Sequence, residues 1–221
     1  MSSEAWMRLG ELSLKLSPLN AKEALTKTIQ LDPTNVRAYR LLARLHWQQG
    51  LLKEAQRFYE QAAFLEAPNG SLAEEVGDYL MERRDLVRAV EYYRSSLSQG
   101  GGSRPALLIA YAKALKELRS WETAEQVLRF GMSAFPNEPA FSLLLGETLL
   151  EQKRWLDAEP WFQRTLALTP KSAEACYGLG RIALGLGQTE QAVMYLKRGL
   201  QGNPYHRAAL KLLHQLKHPQ G

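Results

Sequence analysis

The residues able to carry chemistry are few and scattered. The histidines fall at His46, His206, His214 and His218. His214 and His218 stand four apart and could share a helix face. With no carboxylate or thiol beside them they make a poor metal site, and a solvated chain end at 218–221 is the expectation. The single cysteine, Cys176, excludes an internal disulfide framework and fits a reducing compartment. It reads as a small packed residue. Neither Cys176 nor His46 has a third partner placed for catalysis, and no nucleophile elbow or nucleotide fingerprint is present. Glu74-Glu75 and Lys116-Glu117 are accounted for by helical surface charge. The run Gln99-Gly100-Gly101-Gly102-Ser103-Arg104 lacks the Lys-Ser/Thr pair and the preceding strand of a phosphate loop. Three glycines without side chains to pin a turn make 99–104 a candidate hinge instead. These absences argue against an enzyme, a cofactor or a metal centre. The one constellation with a clear use is Arg37, Arg40 and Arg44, whose spacings place three guanidinium groups on one helix face, where they can hold a carboxylate or phosphate bidentately.

Elements that could position such residues follow from a repetition. One alanine recurs at Ala21, Ala55, Ala89, Ala124, Ala158 and Ala192, at intervals of 34, 34, 35, 34 and 34 residues. Ala43, Gly77, Ala112, Gly146 and Gly180 keep the same step, with Gly10 one residue out of phase. Prolines close units at Pro33, Pro136, Pro170 and Pro204, and Pro68 is shifted by one. Small residues at two fixed places let two helices approach closely, while Leu and aromatic residues three or four positions away fill the gaps between pairs. Each helix pair leaves apolar surface that the next covers, so the units are stable only when stacked. The spacing predicts units at 3–35, 36–69, 70–104, 105–138, 139–172 and 173–206, with an amphipathic capping helix at 207–217. Trp6 is expected to seal the irregular first unit. Trp121, Trp155 and Trp161 are expected to pack in the core, the first two at the inter-helix turn where Leu52 and Leu86 also stand.

This pattern resembles the tetratricopeptide repeat (TPR) family from end to end. In the second unit the family's aromatic, Leu, small, turn Gly, Ala, aromatic, Ala, Pro signature reads Tyr39, Leu42, Ala43, Gly50, Ala55, Tyr59, Ala62 and Pro68. The fifth gives Leu145, Gly146, Ala158, Phe162 and Pro170, and the sixth Leu179, Gly180, Gly187, Ala192, Leu196, Gly199 and Pro204. The resemblance implies an all-α solenoid, a right-handed superhelix of antiparallel helix pairs, in one TPR domain over 1–217. It also implies a non-catalytic scaffold or adaptor that binds a peptide or partner helix in a concave groove.

The family's first helices line that groove, and the repeat register carries the groove positions onto this chain. They are Arg37, Arg40, Arg44 and Trp47; then Glu74, Asp78, Met81 and Glu82; then Ile109, Lys113 and Lys116; then Leu143, Glu147 and Glu151; then Tyr177 and Arg181. The sign of charge alternates from one tier to the next. Either the tiers pair with each other across repeats, or an acidic segment lies on the arginine tier with apolar anchors near Trp47, Ile109, Leu143 or Tyr177. A chaperone-type carboxylate clamp is disfavoured, because Glu11, Arg44 and Asp78 stand where that clamp needs asparagine. The six-repeat count and the segment from Tyr92-Tyr93 to Gly102 look somewhat like the type IV pilus assembly TPR lipoproteins that help a secretin multimerise, although no lipobox cysteine is visible.

Net charge is +5 and the isoelectric point is near 9.3, with basic and acidic residues interspersed. RNA binding by a helical-repeat protein is therefore an alternative, weakened by interleaved Glu and Asp and by the lack of a long basic stripe. Membrane insertion is not expected, since no apolar run approaches the roughly 20 residues needed to cross a bilayer. The opening MSSEAWMRLG lacks the features of a signal peptide. A cytoplasmic location is expected, or a periplasmic or anchored one where a leader has been removed. The sequence is silent on oligomeric state.

Overall fold

Helix starts are written locally in the chain. In a computed structural model, which describes residues 1–65, 70–98 and 104–217, the side chains of Ser2, Ser17, Asn35 and Ser172 each accept a backbone N–H from the first turn of the following helix. That satisfies a donor which the helix itself cannot pair. Pro18, Pro105 and Pro139 open their helices at a position whose N–H has no intrahelical acceptor. The helices are α1 (Ser3–Ser13), α2 (Pro18–Leu31), α3 (Val36–Gln48), α4 (Leu52–Leu65), α5 (Gly70–Glu82) and α6 (Leu86–Ser98). They continue as α7 (Pro105–Glu117), α8 (Trp121–Ala134), α9 (Pro139–Glu151), α10 (Trp155–Leu168), α11 (Ala173–Gly185), α12 (Thr189–Gly202) and α13 (Arg207–Lys217). No strand occurs among the described residues. The fold is an all-α helical repeat.

The turn inside each of five pairs is the same Schellman motif. At Gly50, Arg84, Arg119, Lys153 and Gly187 the backbone takes φ between 60° and 77°. The N–H of each bonds three residues back, and the N–H of the next residue bonds five back, as in Gly50 N to Trp47 O at 2.9 Å and Leu51 N to His46 O at 2.9 Å. These bonds satisfy the last carbonyls of the first helix and reverse the chain. Glycine takes this conformation freely. A side chain there costs about 1 kcal/mol, which the chain accepts at Arg84, Arg119 and Lys153.

Within a pair, the small residue of the first helix meets a large one of the second. A Cβ at Gly77 would stand 2.7 Å from the Tyr93 ring, one at Gly146 3.0 Å from Phe162, and one at Gly180 3.2 Å from Leu196. The large partners Leu25, Tyr59, Tyr93, Leu128, Phe162 and Leu196 are all buried, as are all six periodic alanines. Gly178 presses on the other side of Phe162, so that ring is held between two glycines of successive first helices. Trp6 is half-buried, and Met7 beside it is buried with Leu25, Ala38 and Leu42.

The helices form two compact units, Met1–Gly102 and Ser103–Gly221. The sequence reading had one continuous domain with a candidate hinge at 99–104. The boundary falls inside that run, but residues 99–103 lie outside the described residues, as do Pro68 and the 218–221 tail. Among the described residues no helix is long and apolar enough to cross a membrane.

Candidate partner-binding site

In the first unit, the face of α3 that carries Arg37, Arg40, Arg44 and Trp47 is occupied by neighbouring repeats. Arg37 pairs with Glu11 of α1 at 2.6 Å. Arg40 Nε lies 2.5 Å from Glu75 Oε2 and its Nη1 donates to Ser71 Oγ at 2.9 Å. Arg44 Nε is 3.7 Å from Glu75 Oε1. The Tyr59 hydroxyl donates to the same Oε1 at 3.0 Å. Glu75 is 8% exposed, accepts hydrogen bonds from Arg40 and Tyr59 and faces the Arg44 guanidinium as well, so its charge is opposed by two cations. Trp47 donates its indole N–H to Glu82 at 2.5 Å and sets its ring edge-on to Tyr59 and Tyr79. Tyr79 completes the joint by donating to Leu52 O at 2.7 Å.

Behind this tier, Tyr93 donates to Asp78 Oδ1 at 2.6 Å. Loss of solvent, then the charges of Glu75 and Glu82, raise the Asp78 carboxyl above the usual carboxylate range, against the hydrogen bond from Tyr93. Burial first, then the charge of Glu75 and the hydrogen bond to it, push the Tyr59 phenol far up. Tyr93 is raised by burial and by its bond to Asp78. Glu75 was read from sequence as surface charge. It is instead the buried centre of the tier, signalled only by an offset from Arg40 one residue longer than the repeat. Glu74 is half-buried and also engaged.

The second unit arranges its predicted residues differently. Ile109, Lys113 and Lys116 of α7 and Leu143 and Glu147 of α9 line one cleft of about 310 Å³. Lys116 Nζ is 2.5 Å from Glu147 and 3.8 Å from Glu151. Lys113 is exposed and has no partner among the described residues. Tyr177 and Arg181 of α11 border a second, larger cleft of about 680 Å³ with Glu151, and its rim is made by residues the sequence reading did not assign to a site: Arg119, Trp121, Lys153 and Trp155. Arg181 lies over the Tyr177 ring, 5.9 Å from its centroid, and His206 packs on that ring at 5.3 Å.

The tryptophans correct an expectation. None of Trp121, Trp155 and Trp161 is buried in the core. Each is half-buried. Trp155 leans on the Cβ-less surface of Gly185, and Trp161 carries Arg129 over its ring at 5.4 Å. The helix-opening position is too near the turn to be covered by the next pair, so an indole there keeps one face open. The signal that could have found this cleft is the turn column 50, 84, 119, 153 and 187, in which glycine is replaced by Arg or Lys in three repeats.

Cys176 is buried, and burial raises its thiol. His46 is buried with its ring nitrogen Nδ1 2.7 Å from Leu42 O. Among the described residues no group of three or more His, Cys, Asp and Glu could hold a metal ion.

Comparison with known proteins agrees with this architecture. Two tetratricopeptide repeat family profiles match, one at residues 18–72 and 149–216, together more than half of the chain, and the other at 110–173. The chain belongs to the tetratricopeptide repeat family. Its TPR fold is similar to that of YrrB, described as a TPR protein with an unusual peptide-binding site (TM-score 0.68, 21% identity, covering 87% of this chain and 98% of that one). It is also similar to PilW, described as a widely conserved type IV pilus biogenesis factor (0.75, 19%, 96% and 98%). A third similar structure is pilF of Pseudomonas aeruginosa (0.71, 17%, 96% and 97%). No curated protein matches the sequence. TPR proteins are protein-interaction scaffolds, and this chain has the fold of one.

Proposed function

We propose that this TPR protein is a non-catalytic adaptor that holds an extended segment or helix of a partner protein against the first helices of its second unit. The observation that carries this reading is the contrast in charge pairing. Arg37, Arg40, Arg44, Trp47 and Asp78 spend their polar groups on neighbouring repeats, whereas Lys113 and Arg181 have no carboxylate partner among the described residues. Ile109 and Leu143 supply apolar contact beside Lys113, and Tyr177 supplies it beside Arg181. Free cations alternating with apolar anchors suit a segment that is acidic and partly apolar, laid in a groove. In this reading the arginine tier joins repeats, and the second unit meets the partner.

A photo-crosslinking residue placed at Leu143 tests it. Adducts with a partner protein are expected from that position and not from exposed Glu60, and Lys113→Glu combined with Arg181→Glu is expected to abolish them. Adducts that survive the double charge reversal refute the assignment.

Type IV pilus assembly is a second reading, favoured by the match to PilW and pilF over 96% of this chain. At this level of identity the likeness carries the fold, so the role needs its own test. Loss of secretin multimers in cells lacking this protein would support it, and unaltered multimers would exclude it.

A further inference from the structure

The larger cleft of the second unit lies at the turn ends of its helix pairs rather than along the middle of the first helices. Its rim repeats with the chain. Arg119 and Trp121 come from one inter-helix turn, Lys153 and Trp155 from the next, and Tyr177 and Arg181 close it from α11. Three observations set it apart from ordinary surface. First, its three cations lack carboxylate partners among the described residues, although nearby Lys116 and Arg154 are both paired. Its one carboxylate, Glu151, faces Lys116 at 3.8 Å. Second, the cleft is aromatic, with two indoles and a phenol each half-buried; Arg181 and His206 already pack on the Tyr177 ring, so Trp121 and Trp155 supply the faces that a flat apolar group could cover. Third, Arg119 and Lys153 hold φ of 60° and 62° at the turn position that Gly50 and Gly187 fill in other repeats. Arg84 takes the same conformation in the first unit but is engaged there, whereas the side chains of Arg119 and Lys153 make no hydrogen bond or ion pair among the described residues. A strained residue with no internal use is a pointer to an external one.

We infer that this cleft is the anchoring pocket for a short acidic-aromatic segment of the partner protein. An aromatic side chain of the segment enters between Trp121, Trp155 and Tyr177. Carboxylates on either side of it meet Arg119 and Arg181, whose guanidinium groups can bind them bidentately, and the Lys153 ammonium. The volume of about 680 Å³ is in the range of pockets that bury such a group. A polypeptide fits better than a nucleic acid. Three cations gathered in one cleft do not make the continuous basic track that a phosphate backbone needs. This inference rests on the adaptor reading and assigns that reading's anchor point.

The test uses the full chain and fluorescein-labelled octapeptide pools in which Asp or Glu alternates with Phe, Trp or Tyr. The controls are the same pools with Asn and Gln for the acids, and a twelve-nucleotide oligouridine. Binding of the acidic pool at least about tenfold tighter than the amide pool is expected, since a charge-assisted contact contributes roughly twice a neutral one. The double variant Arg119→Gly, Lys153→Gly is expected to lose at least about tenfold of that affinity while its Tm stays level or rises, because glycine suits the turn. Arg181→Gln, a change on an exposed helix position, is expected to weaken binding without altering Tm. Affinity unchanged in either variant, equal binding of the amide pool, or tighter binding of oligouridine would overturn the proposal. If the pools fail while crosslinks from Leu143 persist, this anchor is wrong and the adaptor reading stands. If both fail, both fall.

Discussion

The first-helix face of the first unit and that of the second carry similar residue types, but the first spends all three arginines of α3 on neighbouring repeats and the second only part of its cations. In the first unit, α3 lays Arg40 and Arg44 on the buried Glu75 carboxylate, with Tyr59 from the other side. In the second, Lys116 takes Glu147 and Glu151 while Lys113, Arg119, Lys153 and Arg181 stay without carboxylates among the described residues. The difference shows that charge alternation in a helical repeat is no guide to ligand binding by itself. A carboxylate drawn into the joint between repeats consumes the cations around it, and only cations that no neighbouring repeat can reach remain for a partner.

If the second unit is held by apolar packing and the first by a buried polar joint, different changes should break them. The largest effect is expected from Phe162→Ala. The ring fills the space between Gly146 and Gly178, which have no side chains to collapse into the void. A loss of about 3–5 kcal/mol is expected, read as lost hydrogen-exchange protection in α9 to α12. Next is Glu75→Gln, which keeps the shape but leaves two guanidinium groups without a countercharge. About 1–3 kcal/mol should be lost, confined to exchange in α3 to α6. An equal loss in α9 to α12 would erase the comparison.

Alkaline titration gives a smaller and sharper contrast. Tyr59 and Tyr93 have phenols raised by burial, so each keeps its proton in the folded chain at a pH where the unfolded chain releases it. Their stabilisation is complete below the ordinary phenol value of about 10 and falls as pH rises above it. Exchange protection in α3 to α6 should therefore decline above about pH 10, and Tyr59→Phe should reduce that decline. A decline that begins in α9 to α12, or one that Tyr59→Phe leaves unchanged, would count against the polar joint.

The smallest expected effects lie at the turns. Gly50→Ala should cost about 1 kcal/mol because its φ is +74°. Lys153→Gly should be neutral or stabilising by a few tenths, measured by denaturant midpoint.

Much of the architecture was legible because it depends on where bulk is forbidden. Ala55 and Gly77 recur at the repeat interval since a larger side chain there would strike the facing helix, and such a prohibition is visible in one sequence. The helices that begin at Val36, Gly70, Pro105, Pro139 and Ala173 start where the periodic landmarks restart. The predicted groove residues were legible as register positions, and five of them do line one cleft in the second unit. Their pairing was not legible. Whether Arg40 reaches Glu75 depends on side-chain rotamers and on how one repeat sits against the next, neither of which spacing encodes. Trp121 and Trp155 were misread for a related reason. Their register partners Leu52 and Leu86 suggested packing, but Leu52 is itself exposed and Leu86 half-buried, because the mouth of the turn is not covered by the next pair.

The amino-acid order alone therefore determined a chain of stacked helix pairs, since helix periodicity and close-approach positions are properties of local spacing. Which charges are spent holding repeats together and which stand open beside an aromatic cleft was decided only when the helices packed. Desolvation and pairing are set by distances between residues about 30 positions apart, and those distances exist only in the folded protein.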